Sequence, residues 1–103
     1  MPPLEPEYRI IYHDIVKEQI RQCMVALIAA GWQKGALVNM LATAERRLKV
    51  DPTACGEPLY NLPLLGMIVY IFCVRPFRLH FGIHQQSRTV FIREVALLTL
   101  KLP

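Results

Sequence analysis

In Phe77-Arg78-Leu79-His80-Phe81-Gly82-Ile83 a large apolar residue takes every second place, and Arg78, His80 and Gly82 take the places between. Successive side chains of a β-strand point to opposite faces, so this stretch predicts a strand with one buried and one open face. Upstream, Met67–Val74 is a continuous apolar run ended by Arg75-Pro76. Downstream, Thr89–Val95 returns to β-branched and aromatic residues after the polar link His84-Gln85-Gln86-Ser87-Arg88. Connections this short make the three strands antiparallel neighbours. Tyr8-Arg9-Ile10-Ile11-Tyr12 has the same strand-forming composition and must join an edge of that sheet or pair with one of the three.

Between the first strand and the other three, the apolar period changes to that of a helix. Asp14 is placed as an N-cap, and Val16, Ile20, Cys23, Met24, Leu27 and Gly31 recur at helical spacing, with Lys17, Glu18, Arg21 and Gln22 on the other face. Gly31 and Gly35 bracket a break at Trp32. Leu37, Met40, Leu41, Ala44 and Leu48 then define a second helix, closed at Asp51-Pro52. Few residues join the helices, which makes them neighbours in a hairpin. Asp51 to Pro63, rich in Pro, Gly, Thr and Asn, is predicted as a loop. The fold class that follows is α+β, in the order β-α-α-β-β-β, an antiparallel sheet with a two-helix hairpin packed on one face. Leu27, Leu41, Val69, Leu79 and Phe81 are its expected core.

A chain of 103 residues suits one domain over its whole length, with 1–7 as a loose leader and 96–103 as an apolar tail. A hydrophobic share of 53% against 19% charged residues is too apolar for a disordered chain. The net charge of +4 permits a polyanionic partner, but the basic residues form no run. Cys23, Cys55 and Cys73 are odd in number, and two of them lie in apolar runs, as reduced core thiols do; this implies a reducing cytoplasm. The start, Met1 to Tyr8, carries three prolines and two glutamates in place of the basic and apolar pattern of an export signal. The longest apolar run, Leu62 to Val74, falls short of the roughly 20 residues that cross a bilayer, so no membrane role is expected.

If Phe77, Leu79, Phe81 and Ile83 face the helices, Arg78 and His80 project from a side no helix covers. They are spaced about 6.6 to 7 Å along a strand, a separation that a nucleotide phosphate can bridge. Arginine holds a phosphate with a forked pair of hydrogen bonds, and histidine transfers protons near neutrality. The alternative is that both only keep an exposed sheet face soluble. His80 and His84 are separated by about 13 Å on an extended strand, too far to share an ion, and no phosphate loop or nucleophile elbow occurs. No metal and no cofactor are expected. Arg46, Arg47 and Lys49 suit the C-terminal end of a helix electrostatically and, with Arg75 and Arg88, are the candidates for nucleic-acid contact.

Together with the element order, Arg46-Arg47-Leu48 closing the second helix, Gly56-Glu57-Pro58-Leu59, Phe77 to Ile83 and Arg88-Thr89-Val90-Phe91-Ile92 make the chain resemble the RelE/ParE toxin superfamily as a divergent member, from about Tyr8 to Leu98. The resemblance implies one half of a toxin–antitoxin pair. It implies a RelE-like toxin or toxin-derived protein that acts on translation by binding mRNA, with endoribonuclease activity if the catalytic groups suffice, and an antitoxin protein as partner. It also places Arg78 where RelE-like nucleases carry a sheet arginine against the scissile phosphate, so that Arg78, His80 and Arg93 form the candidate catalytic set. RelE-like nucleases follow the last strand with a basic and aromatic tail. Here Glu94 to Pro103 carries a single lysine and no Tyr or His beyond Glu94.

Two other readings stand beside this one. A ParE-like inhibitor of DNA gyrase needs no catalytic tail, and a catalytically inactive interaction module needs neither. Val95, Leu97, Leu98, Leu100 and Leu102 make the tail too apolar for water, so it is expected to cover a partner surface, a second copy of the chain or the antitoxin.

Overall fold

The computed structural model describes residues 6–98. The chain runs through β1 (Arg9–Tyr12), α1 (Asp14–Ala29), α2 (Lys34–Val50), a short 3-10 turn, β2 (Glu57–Leu62), a second 3-10 turn, β3 (Met67–Val74), β4 (Phe77–His84) and β5 (Thr89–Leu97). The strands form one sheet in the order β1-β5-β4-β3-β2. This is the α+β architecture expected from the patterning, with the three consecutive strands β3, β4 and β5 paired antiparallel.

The apolar stripes of both helices close the core from one side. Val16, Cys23 and Leu27 of α1 and Leu37, Ala44 and Leu48 of α2 are buried. They cluster with Phe72, Phe77, Leu79, Phe81, Ile83, Val90, Ile92 and Val95 of the sheet. Phe81 stacks on Tyr70 at 5.5 Å between ring centroids and meets Phe72 edge-on at 6.4 Å. Gly31, at φ +104°, ends α1 in a conformation that side chains resist. The Gly31 amide donates to Ile28 and the Trp32 amide to Leu27, the paired bonds of a Schellman stop. His13, not Asp14, is the residue that caps α1, and it caps without a side-chain hydrogen bond; Asp14 lies in the first turn, where its charge favours the helix dipole.

The segment expected as a loop contains the edge strand β2, paired antiparallel to β3 from Glu57 opposite Ile71 to Leu62 opposite Met67. Its Pro58 suits an edge, where a missing N–H costs no ladder bond, and a register shift between Pro58 and Tyr60 breaks the alternation that would have revealed the strand. The first strand lies at the other edge and runs parallel to β5, so the sheet is mixed. Its direction follows from the chain entering α1 immediately after Tyr12, with α1 packed chiefly over β5.

Several residues differ from their expected setting. Leu41 is half-buried at the margin of the core. Val69 is fully buried but lies outside the helix-side cluster, because its register partner is Gly82, on the face away from the helices. Cys55 is buried and Cys73 is exposed. The tail begins as sheet: Ala96 and Leu97 pair with Arg78 and Phe77, and the Leu98 amide donates to the Pro76 carbonyl at 2.8 Å. The rest of the tail, 99–103, and residues 1–5 of the leader lie outside the described residues. Among the described residues no helix is long and apolar enough to cross a membrane.

Candidate functional site

Register defines the helix-free face of the sheet, the one that no helix among the described residues covers. Phe77, Leu79, Phe81 and Ile83 are all buried toward the helices, so the residues between them, Arg78, His80, Gly82 and His84, project to the other side. Their partners on that side are Cys73, Ile71, Val69 and Met67 of β3. Gly82 is needed there, because a Cβ on it would lie 2.1 Å from the Met67 sulfur that folds across it.

A β-bulge furnishes the charged groups. His80 lies opposite Glu94 and Phe81 opposite Ile92, which leaves Arg93 as the extra residue of β5. Ile92 and Val95 both face the core, so Arg93 and Glu94 are displaced together toward the helix-free face, as the two residues of a bulge are. They line an open cleft of about 200 Å³ with His80, with Tyr60 from β2 and with His13 from the start of α1. Elements from both edges of the sheet therefore converge over its centre.

Glu94 is the hub of this arrangement. Its Oε1 accepts a hydrogen bond from Arg78 Nη2 at 3.2 Å, and its Oε2 lies 3.8 Å from His80 Nδ1. The Nε of Arg78 is enclosed and has no hydrogen-bond partner among the described residues. Arg78 also lines a neighbouring recess with Gln19 and Gln22 of α1, where the side-chain Oε1 of Gln19 accepts from the Val95 backbone amide at 2.9 Å. The chemical content is two cations, two imidazoles, a phenol and one carboxylate around a polar cleft, a set able to bind an anion and to move protons beside it.

The structure thus places Arg78 and His80 on one face, as the alternation of β4 led us to expect, and the bulge of β5 places Arg93 beside them. It does not bring the other basic candidates there. The guanidinium of Arg47 lies 5.2 Å from the centroid of Phe72, a ring of the helix-side core, and Arg46 donates to the Thr43 hydroxyl at 3.0 Å. With Lys49 they belong to the helical layer, across the sheet from His80. Arg75 is exposed in the β3–β4 turn. Arg88 closes the β4–β5 turn at φ +48°, with its Nε donating to the Pro6 carbonyl at 2.8 Å and its guanidinium 4.2 Å from the Tyr8 ring centroid.

Sequence reading missed Tyr60, His13 and the role of Glu94. The run Leu59-Tyr60-Asn61-Leu62 carried a strand signal for Tyr60, obscured by flanking prolines, whereas nothing local marks His13 or Glu94. Outside the cleft, two thiols and one phenol are shifted by their surroundings. Burial pushes the Cys23 and Cys55 thiols up, against the nearby Arg47 charge in the second case, which keeps both protonated. Burial, followed by the adjacent Glu45 carboxylate, raises Tyr12 far above an ordinary phenol, and its hydroxyl donates to Glu45 at 3.0 Å, tying β1 to α2.

No family model matches the chain, and no curated protein sequence matches it. Solved structures do. A chain of the archaeal RelE–RelB complex from Pyrococcus horikoshii superposes with a TM-score of 0.68 at 12% identity, covering 88% of this chain and 94% of that one. A chain of the RelBE2 toxin–antitoxin complex from Mycobacterium tuberculosis superposes with a TM-score of 0.62 at 19% identity, covering 92% and 94%. The chain has a RelE-like α+β fold across nearly its whole described length.

Proposed function

We propose that this chain is a RelE-like toxin of a toxin–antitoxin pair that acts on translation in the cytoplasm by binding mRNA across the helix-free sheet face and cleaving it there. The observation that carries the proposal is the convergence of His80, Arg93, Tyr60 and His13 on one cleft, with Arg78 bonded to the Glu94 that also lines it. The fold supports it, since the similar structures include a chain of a RelE–RelB complex and a chain of the RelBE2 toxin–antitoxin complex. In the proposed reaction an imidazole of His80 or His13 takes the proton of an RNA 2′-hydroxyl, and the oxygen attacks the adjacent phosphorus. The 5′-oxygen leaves with a proton supplied by a second group, giving a 2′,3′-cyclic phosphate and a 5′-hydroxyl. Arg93 and Arg78 stabilise the charge that builds on the phosphoryl oxygens. Tyr60, from the β2 edge of the sheet, adds a phenol beside these groups.

Controlled expression of the full chain in a bacterial host, followed by mapping of mRNA 5′ ends on ribosomes, tests this. Growth arrest with new cleavage sites, both lost in Arg93→Ala, is the expected outcome. Arrest with intact mRNA and inhibited DNA supercoiling would replace the proposal with the gyrase reading, and unimpaired growth would remove the toxin reading altogether.

A further inference from the structure

Of the two groups best placed to receive a phosphate, Arg78 already holds an anion that belongs to the protein, and that anion also stands beside His80. One carboxylate reaches both: Glu94 bonds Arg78 at 3.2 Å and stands 3.8 Å from the His80 ring nitrogen. We infer that Glu94 is an affinity-limiting residue, an internal competitor for the phosphate of a phosphodiester ligand at Arg78 and His80. The identity of that ligand as RNA rests on the function proposed above, but the competition does not.

Geometry separates this role from two others. A carboxylate that orients a catalytic histidine does so through a directional hydrogen bond, and 3.8 Å is beyond the range of one. Its influence on His80 is therefore Coulombic. An ion pair kept for stability contributes little at this exposure, since the side chains of Arg78 and Glu94 are 36% and 40% accessible. What the contact does alter is the field in the cleft. A phosphate drawing on both Arg78 and His80 must displace the carboxylate or lie beside it, and two like charges a few ångströms apart repel strongly even with the screening of a protein surface. The bulge makes the arrangement possible, because it delivers Glu94 to the same face as Arg93, so a cation and its competitor anion arrive on adjacent residues.

The experiment uses the full chain and Glu94→Gln, which removes the charge, preserves the shape and keeps an acceptor for Arg78. Inorganic phosphate is titrated into each protein while the His80 imidazole resonances are followed by NMR, at low salt. Glu94→Gln is expected to bind phosphate about tenfold more tightly than the wild type, the size of effect that one unit charge at this range produces. The gap should narrow as ionic strength rises. Equal or weaker binding by the variant, or no phosphate binding by either protein, overturns the inference. A parallel titration with a short single-stranded RNA keeps it distinct from the proposed function. If phosphate affinity rises but neither protein binds RNA, the competition stands and the RNA reading falls. If both bind RNA equally and the variant shows no gain for phosphate, the RNA reading stands and the competition falls.

Discussion

Replacing Phe81 with Ala tests the assignment of the two sheet faces more severely than any other single change. Phe81 is fully buried at the centre of β4, with Tyr70 stacked on one side and Phe72 edge-on at another. Truncating a buried phenylalanine removes its transfer free energy and leaves a cavity that neighbours refill only in part, a loss of about 3 to 5 kcal/mol. The two aromatic contacts place the expectation in the middle of that range, about 4 kcal/mol. A domain of this length has a total stability of about 5 to 15 kcal/mol, so the variant should be close to unfolding at physiological temperature. At about 4 to 8 °C per kcal/mol, the midpoint should fall by about 15 to 30 °C. Urea and thermal denaturation followed by circular dichroism measure both quantities. Leu64→Ala, at a fully exposed position, serves as the control and should stay within about 0.5 kcal/mol of the wild type. A loss below about 1.5 kcal/mol for Phe81→Ala would refute the burial of the Phe77, Leu79, Phe81, Ile83 row. Arg78 and His80 would then not share an open face, and the site would dissolve with it.

Three further outcomes are expected. Arg78→Ala should leave the denaturation midpoint within about 1 kcal/mol of the wild type while reducing growth inhibition and RNA binding, since a solvent-screened ion pair contributes little to stability; equal losses in both would mark Arg78 as structural. Gly56→Ala should destabilise by about 1 to 3 kcal/mol, because its Cβ would lie 2.3 Å from the Ile71 carbonyl oxygen and backbone there cannot step aside; an unchanged urea midpoint would mean that β2 does not approach β3 so closely. The raised Tyr12 pKa means that the folded state keeps a phenol proton which the unfolded chain releases at about 10.0. Stability should therefore be fully present below that pH and decline as pH climbs through it, with less decline in Tyr12→Phe, as urea midpoints measured across the alkaline range would show.

Local pattern was enough for much of this protein. The alternation Phe77 to Ile83 identified β4, its buried row and the outward aim of Arg78 and His80, because period two follows from the covalent geometry of an extended chain. The spacing of Val16, Cys23 and Leu27, and of Leu37, Ala44 and Leu48, likewise marked the buried stripes of both helices. What local pattern could not supply was anything that depends on pairing between distant segments. The strand β2 is held by its ladder to β3 against the preference of its own Pro58, and β1 runs parallel to β5 because of where the helices lie. Arg93 and Glu94 are consecutive, so alternation alone sends them to opposite faces. Only the register slip between β4 and β5, a property of two strands together, turns both toward the cleft and sets Glu94 against Arg78 and His80. Tyr60 and His13, 47 positions apart in the chain, meet there for the same reason: the sheet and its edges, not the sequence around either residue, set the distance between them.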